Sequence, residues 1–181
     1  MVKVSVIIPC YNHGQYIDKA VDSILQQTFQ DVEIIIVNDG STDTLTIQKL
    51  HKYDKPKTTV LHTPNQGLSN ARNIGIKNAQ GIYILPLDAD DFFDQTFLEK
   101  AVHILDQQPE TGIVSCGIQC FGKNARKIIP SSGDVRDCLL GIHPSGNSLF
   151  RKICWEQTTG YQDNMKEGYE DWDFWLSITE K

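Results

Sequence analysis

The sequence predicts an α/β fold, with a mostly parallel central sheet carrying helices on both faces in the Rossmann-like manner. Three observations predict it. Short apolar, β-branched runs recur at Val4–Pro9, Val32–Val37 and Ile82–Leu87, each too short for a helix and apolar on both faces, as strands buried on both sides are. Segments with apolar residues at helical spacing lie between them. Strict alternation of the two kinds implies parallel strands joined by crossover helices.

Taken in order, Val4–Pro9 (VSVIIP) is the first strand, followed by the break CYNHGQY. Ile17, Ala20, Val21, Ile24 and Leu25 then draw an apolar stripe along a helix. Val32–Val37 (VEIIIV) runs into the polar turn NDGSTD, rich in turn formers. Leu45, Gln48, Lys49 and Lys52 sketch a weaker second helix, and Thr58–His62 a third, shorter strand. Leu68–Asn78 reads as a helix with Ala71, Ile74 and Gly75 inward, and Ile82–Leu87 as a strand ending directly in Asp88. Asp94 is the expected N-cap of a helix carrying Phe97, Ala101, Ile104 and Leu105, with Pro109 after its end. Ile113–Phe121 reads as one further strand. The pattern loosens from about Gly122, and the chain closes in an expected helix over Tyr169–Lys181 without a C-cap signal, which suggests a longer protein.

At 181 residues, 40% hydrophobic and 22% charged, the chain reads as one globular domain with a sizeable core. Its 17 basic and 23 acidic residues give a net charge of −6, which argues against nucleic acid, whose binders show a basic face. Nucleotides stay open, because a divalent cation can offset phosphate charge locally. Cysteines 10, 116, 120, 138 and 154 form no CxxC or zinc spacing and read as reduced thiols in a cytosolic setting. The opening MVKVSVIIPCYN has no signal-peptide pattern, and no apolar run reaches the roughly 18–20 residues of a membrane span.

Ligands of such sheets bind beyond the carboxyl ends of the strands, where CYN, NDGS and DADD all fall. In an extended segment, residues i and i+2 share a face, so Asp88 and Asp90 could converge on one hard cation, magnesium or manganese. A solvated, helix-capping acidic turn is the other reading. Asn38-Asp39-Gly40-Ser41 is either an Asx turn or, beside Tyr11, part of a base pocket in which Tyr11 stacks and Asp39 accepts a ring N–H. Arg72 reads equally as a surface ion pair or as a phosphate or base contact. Glu170 and Asp171 suit a first helical turn for dipole reasons alone, and Trp172, Trp175 and Leu176 have the spacing of core residues.

In this order VSVIIPCYNHGQYI, VEIIIVNDGSTD, NQGLSNARNIGI, LPLDADD and GYEDWDFWL resemble the successive motifs of family 2 glycosyltransferases, which have the GT-A fold. The resemblance runs from about Lys3 to Ile178. It implies an inverting, metal-dependent transfer from a nucleoside diphosphate sugar, most often a uridine one, to a saccharide or lipid-linked saccharide. Matched by motif, Pro9, Tyr11, Asn12, Glu33 and Asp39 would surround the nucleoside, with Arg72 near the base or phosphate. Asp88, Ala89 and Asp90 would form the metal-and-diphosphate motif, with Mn²⁺ or Mg²⁺ on Asp88 and Asp90. Asp171 would be the catalytic base, with Glu170 on the acceptor or positioning the loop. Asn38 stands where the family more often has Asp.

The family further implies cell-surface polysaccharide or glycolipid synthesis on the cytoplasmic side of a membrane, with peripheral membrane association in a longer protein. Residues 1–91 would be the nucleotide-binding half and 92–181 the acceptor-side half. A nucleotidyltransferase of similar architecture would carry a glycine-rich loop with Arg and Lys after the first strand, which CYNHGQY lacks. A binding module without turnover is the other rival, disfavoured by intact acids at 88, 90 and 171.

Overall fold

A computed structural model of the chain describes residues 2–122, 125–129, 136, 139, 144–165 and 168–179; Cys138 lies outside them. Strand β1 (Val4–Cys10) is followed by α1 (Ile17–Leu25), β2 (Val32–Asp39), α2 (Thr44–His51), β3 (Thr58–Thr63), α3 (Leu68–Asn78), β4 (Tyr83–Pro86) and α4 (Phe97–Gln107). Shorter elements follow: β5 (Ile113–Val114), β6 (Ile118–Gln119), β7 (Lys127–Ile128), β8 (Leu149–Arg151), α5 (Lys152–Glu156) and α6 (Glu170–Thr179). The main sheet has the order β3-β2-β1-β4-β8-β5. β3, β2, β1 and β4 are parallel, while β8 runs antiparallel to both β4 and β5. The sheet therefore continues through both expected halves of the chain.

Alternation along β1 explains why its run is apolar on both faces apart from Ser5. Val4, Val6, Ile8 and Cys10 pack with α1, α2 and α4, whereas Ile7 faces the opposite cluster, built with α3 and α6. Both faces of the strand are covered, so both residue sets must be apolar. Pro9 is tolerated in this central strand for a related reason. Ile7 turns its carbonyl to Leu87 beside β4, so Pro9, two residues on, points its missing N–H to the same side, where β4 has already ended.

Several sequence expectations change. In α2 the buried residues are Thr46 and Leu50, and Leu45 is exposed. In α3, Arg72 is buried alongside Ser69, Ala71, Gly75 and Ile76, and Ile74 is only partly so. Ile82 is exposed and β4 starts one residue later. The N-cap of α4 is Thr96. Asp94 sits two residues earlier and accepts from the Thr96 amide and hydroxyl, fixing the entry to the helix. The expected single strand Ile113–Phe121 divides: Ile113–Val114 joins the main sheet and Ile118–Gln119 pairs with Lys127–Ile128 in a separate hairpin.

The direction of chain travel reverses at β1. β1, β2 and β3 proceed one way, and the α3 crossover returns the chain to β4 on the other side of β1. The carboxyl ends of β1 and β4 thus flank a topological switch point, where a crevice opens in sheets of this kind.

Candidate active site at the switch point

Tyr11 and Asn12 leave β1 at this crevice, with Tyr11 46% exposed. Asn12 takes a left-handed conformation, φ 59°, which asparagine tolerates better than most residues. Its Oδ1 accepts the amides of Thr42 (2.8 Å) and Asp43 (3.1 Å), and its own amide donates to the Ser41 hydroxyl (3.0 Å). Asn12 therefore ties the β1 loop to the β2 loop, and its side chain is occupied in doing so, which corrects its expected place on a nucleotide. Pro9 is buried in the strand and shapes the end of β1 without reaching the crevice.

Asp39 ends β2. Its carboxylate, in a residue 3% exposed, accepts the Gln66 and Gly67 amides, each at 2.9 Å. It anchors the loop that leads into α3. Gly40 follows at φ 64°, and a side chain there would collide with the Asn65 amide, so only glycine fits beneath that loop. Each Asp39 oxygen retains a second lone pair. Asn38, the departure from the family pattern, donates to His62 Nδ1 (3.1 Å) and accepts the Ser41 amide. Burial, and then His51, hold the His62 ring below its ordinary value. The asparagine amide can donate to an unprotonated ring nitrogen and accept the Ser41 amide at the same time.

Glu33 does not belong to the site. It lies near the start of β2, where it accepts from the Ser5 hydroxyl (2.5 Å) and the Gln80 amide (2.7 Å). Six residues of strand separate it from Asp39, about 20 Å at 3.3 Å per residue. It braces the opposite edge of the sheet, at the corner between α3 and β4.

Asp88 to Asp91 form a turn closed by the Asp91 amide on the Asp88 carbonyl (3.0 Å), not the extended segment from which a shared face for Asp88 and Asp90 is expected. Ala89 points into the core and Asp90 is exposed. Asn147 stitches the turn: its Oδ1 accepts the Asp88 amide (3.2 Å) and its Nδ2 donates to Asp91 Oδ2 (2.6 Å). Burial, then Asp88 and more weakly Asp90, raise the Asp91 carboxyl above its ordinary value, against the pull of Asn147.

Arg72 is buried and not a surface ion pair. It is 2% exposed, and its guanidinium donates to Asp88 Oδ1 (2.9 Å) and Glu170 Oε1 (2.7 Å) while lying over the Tyr161 ring. Burial alone would lower its pKa, but Asp88, Tyr161 and Glu170 together hold it raised. Glu170 thereby helps to orient Arg72. Asp171, next in α6, is more open. Its Oδ1 accepts the Trp172 amide (2.8 Å), and a side chain at Gly146 would come within 3.1 Å of its Oδ2 and 3.7 Å of Arg72 Nη2. Gly146, Asn147 and Tyr161 were not singled out from sequence. They arrive on segments around β8 and α5 that carry no periodic signal.

The crevice thus brings Asp88 and Glu170 onto one buried cation, Arg72, with Asp90 and Asp91 in the same turn as Asp88 and Asp171 next to Glu170. Among the described residues, no group of three or more His, Cys, Asp or Glu side chains is arranged to hold a metal by protein ligands alone. No helix among them is long and apolar enough to cross a membrane.

Residues 5–174 match the sequence profile of Glycosyl transferase family 2. An uncharacterized glycosyltransferase of Haemophilus influenzae is 42% identical over 193 residues, covering 97% of this chain and 60% of its own. The chondroitin synthase of Pasteurella multocida is 41% identical over 190 residues, covering 98% and 19%. Residues 1–349 of Staphylococcus aureus TarS superpose with a TM-score of 0.80 at 26% identity, covering 98% of this chain and 55% of that one. The same protein with bound UDP gives 0.82 at 24%. The Pyrobaculum calidifontis mannosyltransferase, in complex with GDP-Man and Mn²⁺, gives 0.71 at 22%, covering 95% and 50%. The chain spans 14% to 60% of the curated relatives it matches.

Proposed function

Since the chain belongs to Glycosyl transferase family 2 and has the GT-A fold, we propose that it transfers a sugar from a nucleoside diphosphate donor to an acceptor hydroxyl with inversion. The observation that carries this reading is the acidic turn Asp88–Asp91 at the switch point, with Tyr11 across the crevice and Asp171 on its far side. Tyr11 offers a flat, open face for a base, and Asp39 keeps a lone pair on each oxygen for a ring N–H. A uridine donor is favoured, in keeping with the UDP complex of TarS.

The acidic turn Asp88–Asp91 would repel a diphosphate, and the nearby Arg72 is already paired with Asp88 and Glu170, so the charge balance calls for a cation. Asp88, 39% exposed in its side chain, and the exposed Asp90 offer hard oxygen donors. Magnesium or manganese needs only one or two carboxylates and completes its shell with water and phosphate oxygens. Bound there, the ion supplies positive charge to the departing diphosphate.

In this reading Arg72 never touches the donor. It fixes Asp88, on the donor side, relative to Glu170, on the acceptor side. Asp171 takes the proton of the acceptor hydroxyl as the oxygen attacks the anomeric carbon from the side opposite the leaving group. A saccharide or lipid-linked saccharide acceptor, a role in cell-surface polysaccharide synthesis and a cytoplasmic location belong to the same proposal.

Thermal stabilisation by uridine, cytidine and guanosine diphosphates, with and without manganese, tests the donor side, since a ligand bound only by the folded chain raises its melting temperature. Uridine diphosphate with manganese should stabilise most. Asp90→Ala should abolish the metal-dependent part while leaving the unliganded melting temperature nearly unchanged, because Asp90 is exposed. Metal-dependent affinity that survives Asp90→Ala would overturn the metal assignment.

A further inference from the structure

Asn38 of β2 and His62 of β3 are partners in the register of the sheet. The Asn38 side chain divides its two ends between two neighbours: Nδ2 donates to His62 Nδ1 (3.1 Å), and Oδ1 accepts the Ser41 amide (3.1 Å). A backbone amide only donates, so Ser41 fixes which way the Asn38 group points, and His62 Nδ1 has to be the unprotonated ring nitrogen. Asn38 is buried while His62 is exposed, so solvent protons reach the ring and a buried group feels them. Ser41 holds the next link, because its hydroxyl accepts the amide of Asn12 (3.0 Å), the residue after Tyr11. Contacts thus run from an exposed imidazole to the loops that follow β1 and β2.

We propose that Asn38 and His62 form an acid-sensitive clasp: a proton on His62 Nδ1 draws the Asn38 oxygen away from the Ser41 amide and loosens the loop after β2. With it loosens the hold on a nucleotide, a link that rests on the donor reading proposed above. Once protonated, Nδ1 is a donor. Asn38 then meets a donor at each end of its side chain, and its one oxygen cannot face both ways. A hydrogen bond from an ionised donor is roughly twice as strong as one between neutral groups, so the ring takes the oxygen and Nδ2 is turned against the Ser41 amide. The Asn38 backbone stays in place, since the β2–β3 ladder and the Thr63 hydroxyl hold it.

His51 of α2 stacks on His62, ring centres 4.6 Å apart and planes 16° from parallel. What burial the ring has, and then the charge of His51, keep His62 below its ordinary value, so the clasp is shut at neutral pH. Among the described residues no other titratable group acts on His62. On β2, Asp39 is turned to the Gln66 and Gly67 amides, and on α2, Lys49 is turned to Gly14 and Asp18. The behaviour needs an amide at position 38. A carboxylate there would give one oxygen to the imidazolium and the other to Ser41, and acid would tighten it.

Calorimetric titration of the protein with uridine diphosphate and manganese tests this at about pH 7.5 and about pH 5, either side of an ordinary histidine. Titration of the phosphates and of the acidic turn is common to every variant and cancels between them. Affinity should fall about fivefold more in the wild type than in His62→Gln, whose side chain accepts from Asn38 without titrating, a loss equal to one neutral hydrogen bond. Asn38→Asp should remove the extra loss, and His51→Gln should move it to higher pH. In amide NMR spectra without nucleotide, the Asn38 side chain and the Ser41 backbone should shift with the same midpoint as the His62 ring. Equal pH dependence of binding in wild type and His62→Gln would overturn the proposal, as would Asn38 and Ser41 signals that ignore the His62 titration. A protein that binds no uridine diphosphate at either pH would sink the donor reading instead, while amide signals that follow the ring would still support the clasp.

Discussion

β2 and β4 flank β1, and each runs into an aspartate at its carboxyl end, but the two carboxylates are held in opposite ways. Asp39 is almost wholly buried and receives two backbone amides from one loop. Asp88 is more than a third exposed and is held by the side chain of Arg72. Backbone amides fix the position of a loop and do not readily let go. A side-chain partner can be shared with a ligand or exchanged for one. The contrast separates an acid whose first task is architecture from an acid available to chemistry, although the two look alike in sequence.

The sharpest way to break the comparison is at the catalytic end. If the open acids around Arg72 perform chemistry, Asp171→Asn should lower turnover about 10²–10⁴-fold, measured as uridine diphosphate release from the donor, while donor binding survives. Glu170→Gln should act differently. It loosens Arg72, so part of its effect should appear as lost thermal stability. Near-normal turnover in Asp171→Asn with an inactive but fully stable Glu170→Gln would exchange the two roles.

Next in size is the arginine that joins the two sides. Arg72→Ala leaves Glu170 buried without its partner, and breaking a buried pair in this way costs about 3–5 kcal/mol. Urea unfolding should show that loss, and a change below about 1 kcal/mol would mean that Arg72 is not structurally committed. Asp39→Ala, at the other end of the comparison, strands two amides of the β3–α3 loop. It should destabilise the chain by about 1–3 kcal/mol even without ligand. Unchanged stability together with weakened uridine diphosphate binding would make Asp39 a ligand contact alone, and the contrast with Asp88 would fail.

These two residues also mark how much of the molecule could be read from its sequence. The strands and their parallel pairing were legible because a strand covered on both faces is apolar along most of its length. The boundaries of α3 were legible as well. Arg72 was not, because charge alone points outward, and only the convergence of β4 and α6 supplies acids to bury it against. Glu33 was misplaced because a motif match says nothing about which end of a strand a residue occupies. The acidic turn was located but its shape was not, since the Asp91–Asp88 hydrogen bond depends on the distant Asn147. That residue rides beside a three-residue antiparallel strand too short to leave a periodic trace.

The smallest expected effect concerns Asp91, the acid that combines both conditions: half-buried, yet held by a side chain. Burial first, then Asp88 and Asp90, raise its carboxyl above the ordinary range, with Asn147 opposing. For an acid raised in the folded state, the stability gained by holding the proton is full below the unfolded value, about 3.9. It is lost as pH rises through the raised folded value. At neutral pH the metal-free chain therefore carries the whole cost of an ionised Asp91 among like charges. Asp91→Asn removes that charge, and its amide oxygen can still accept from Asn147 Nδ2. The variant should melt above the wild type at about pH 7, and the gap should shrink as pH falls toward about 4. Manganese should narrow the gap at neutral pH by offsetting Asp88 and Asp90. A gap of constant size across that range would show that Asp91 does not titrate as its surroundings require, and a variant less stable at neutral pH would place Asp91 with Asp39 among the acids that hold the architecture.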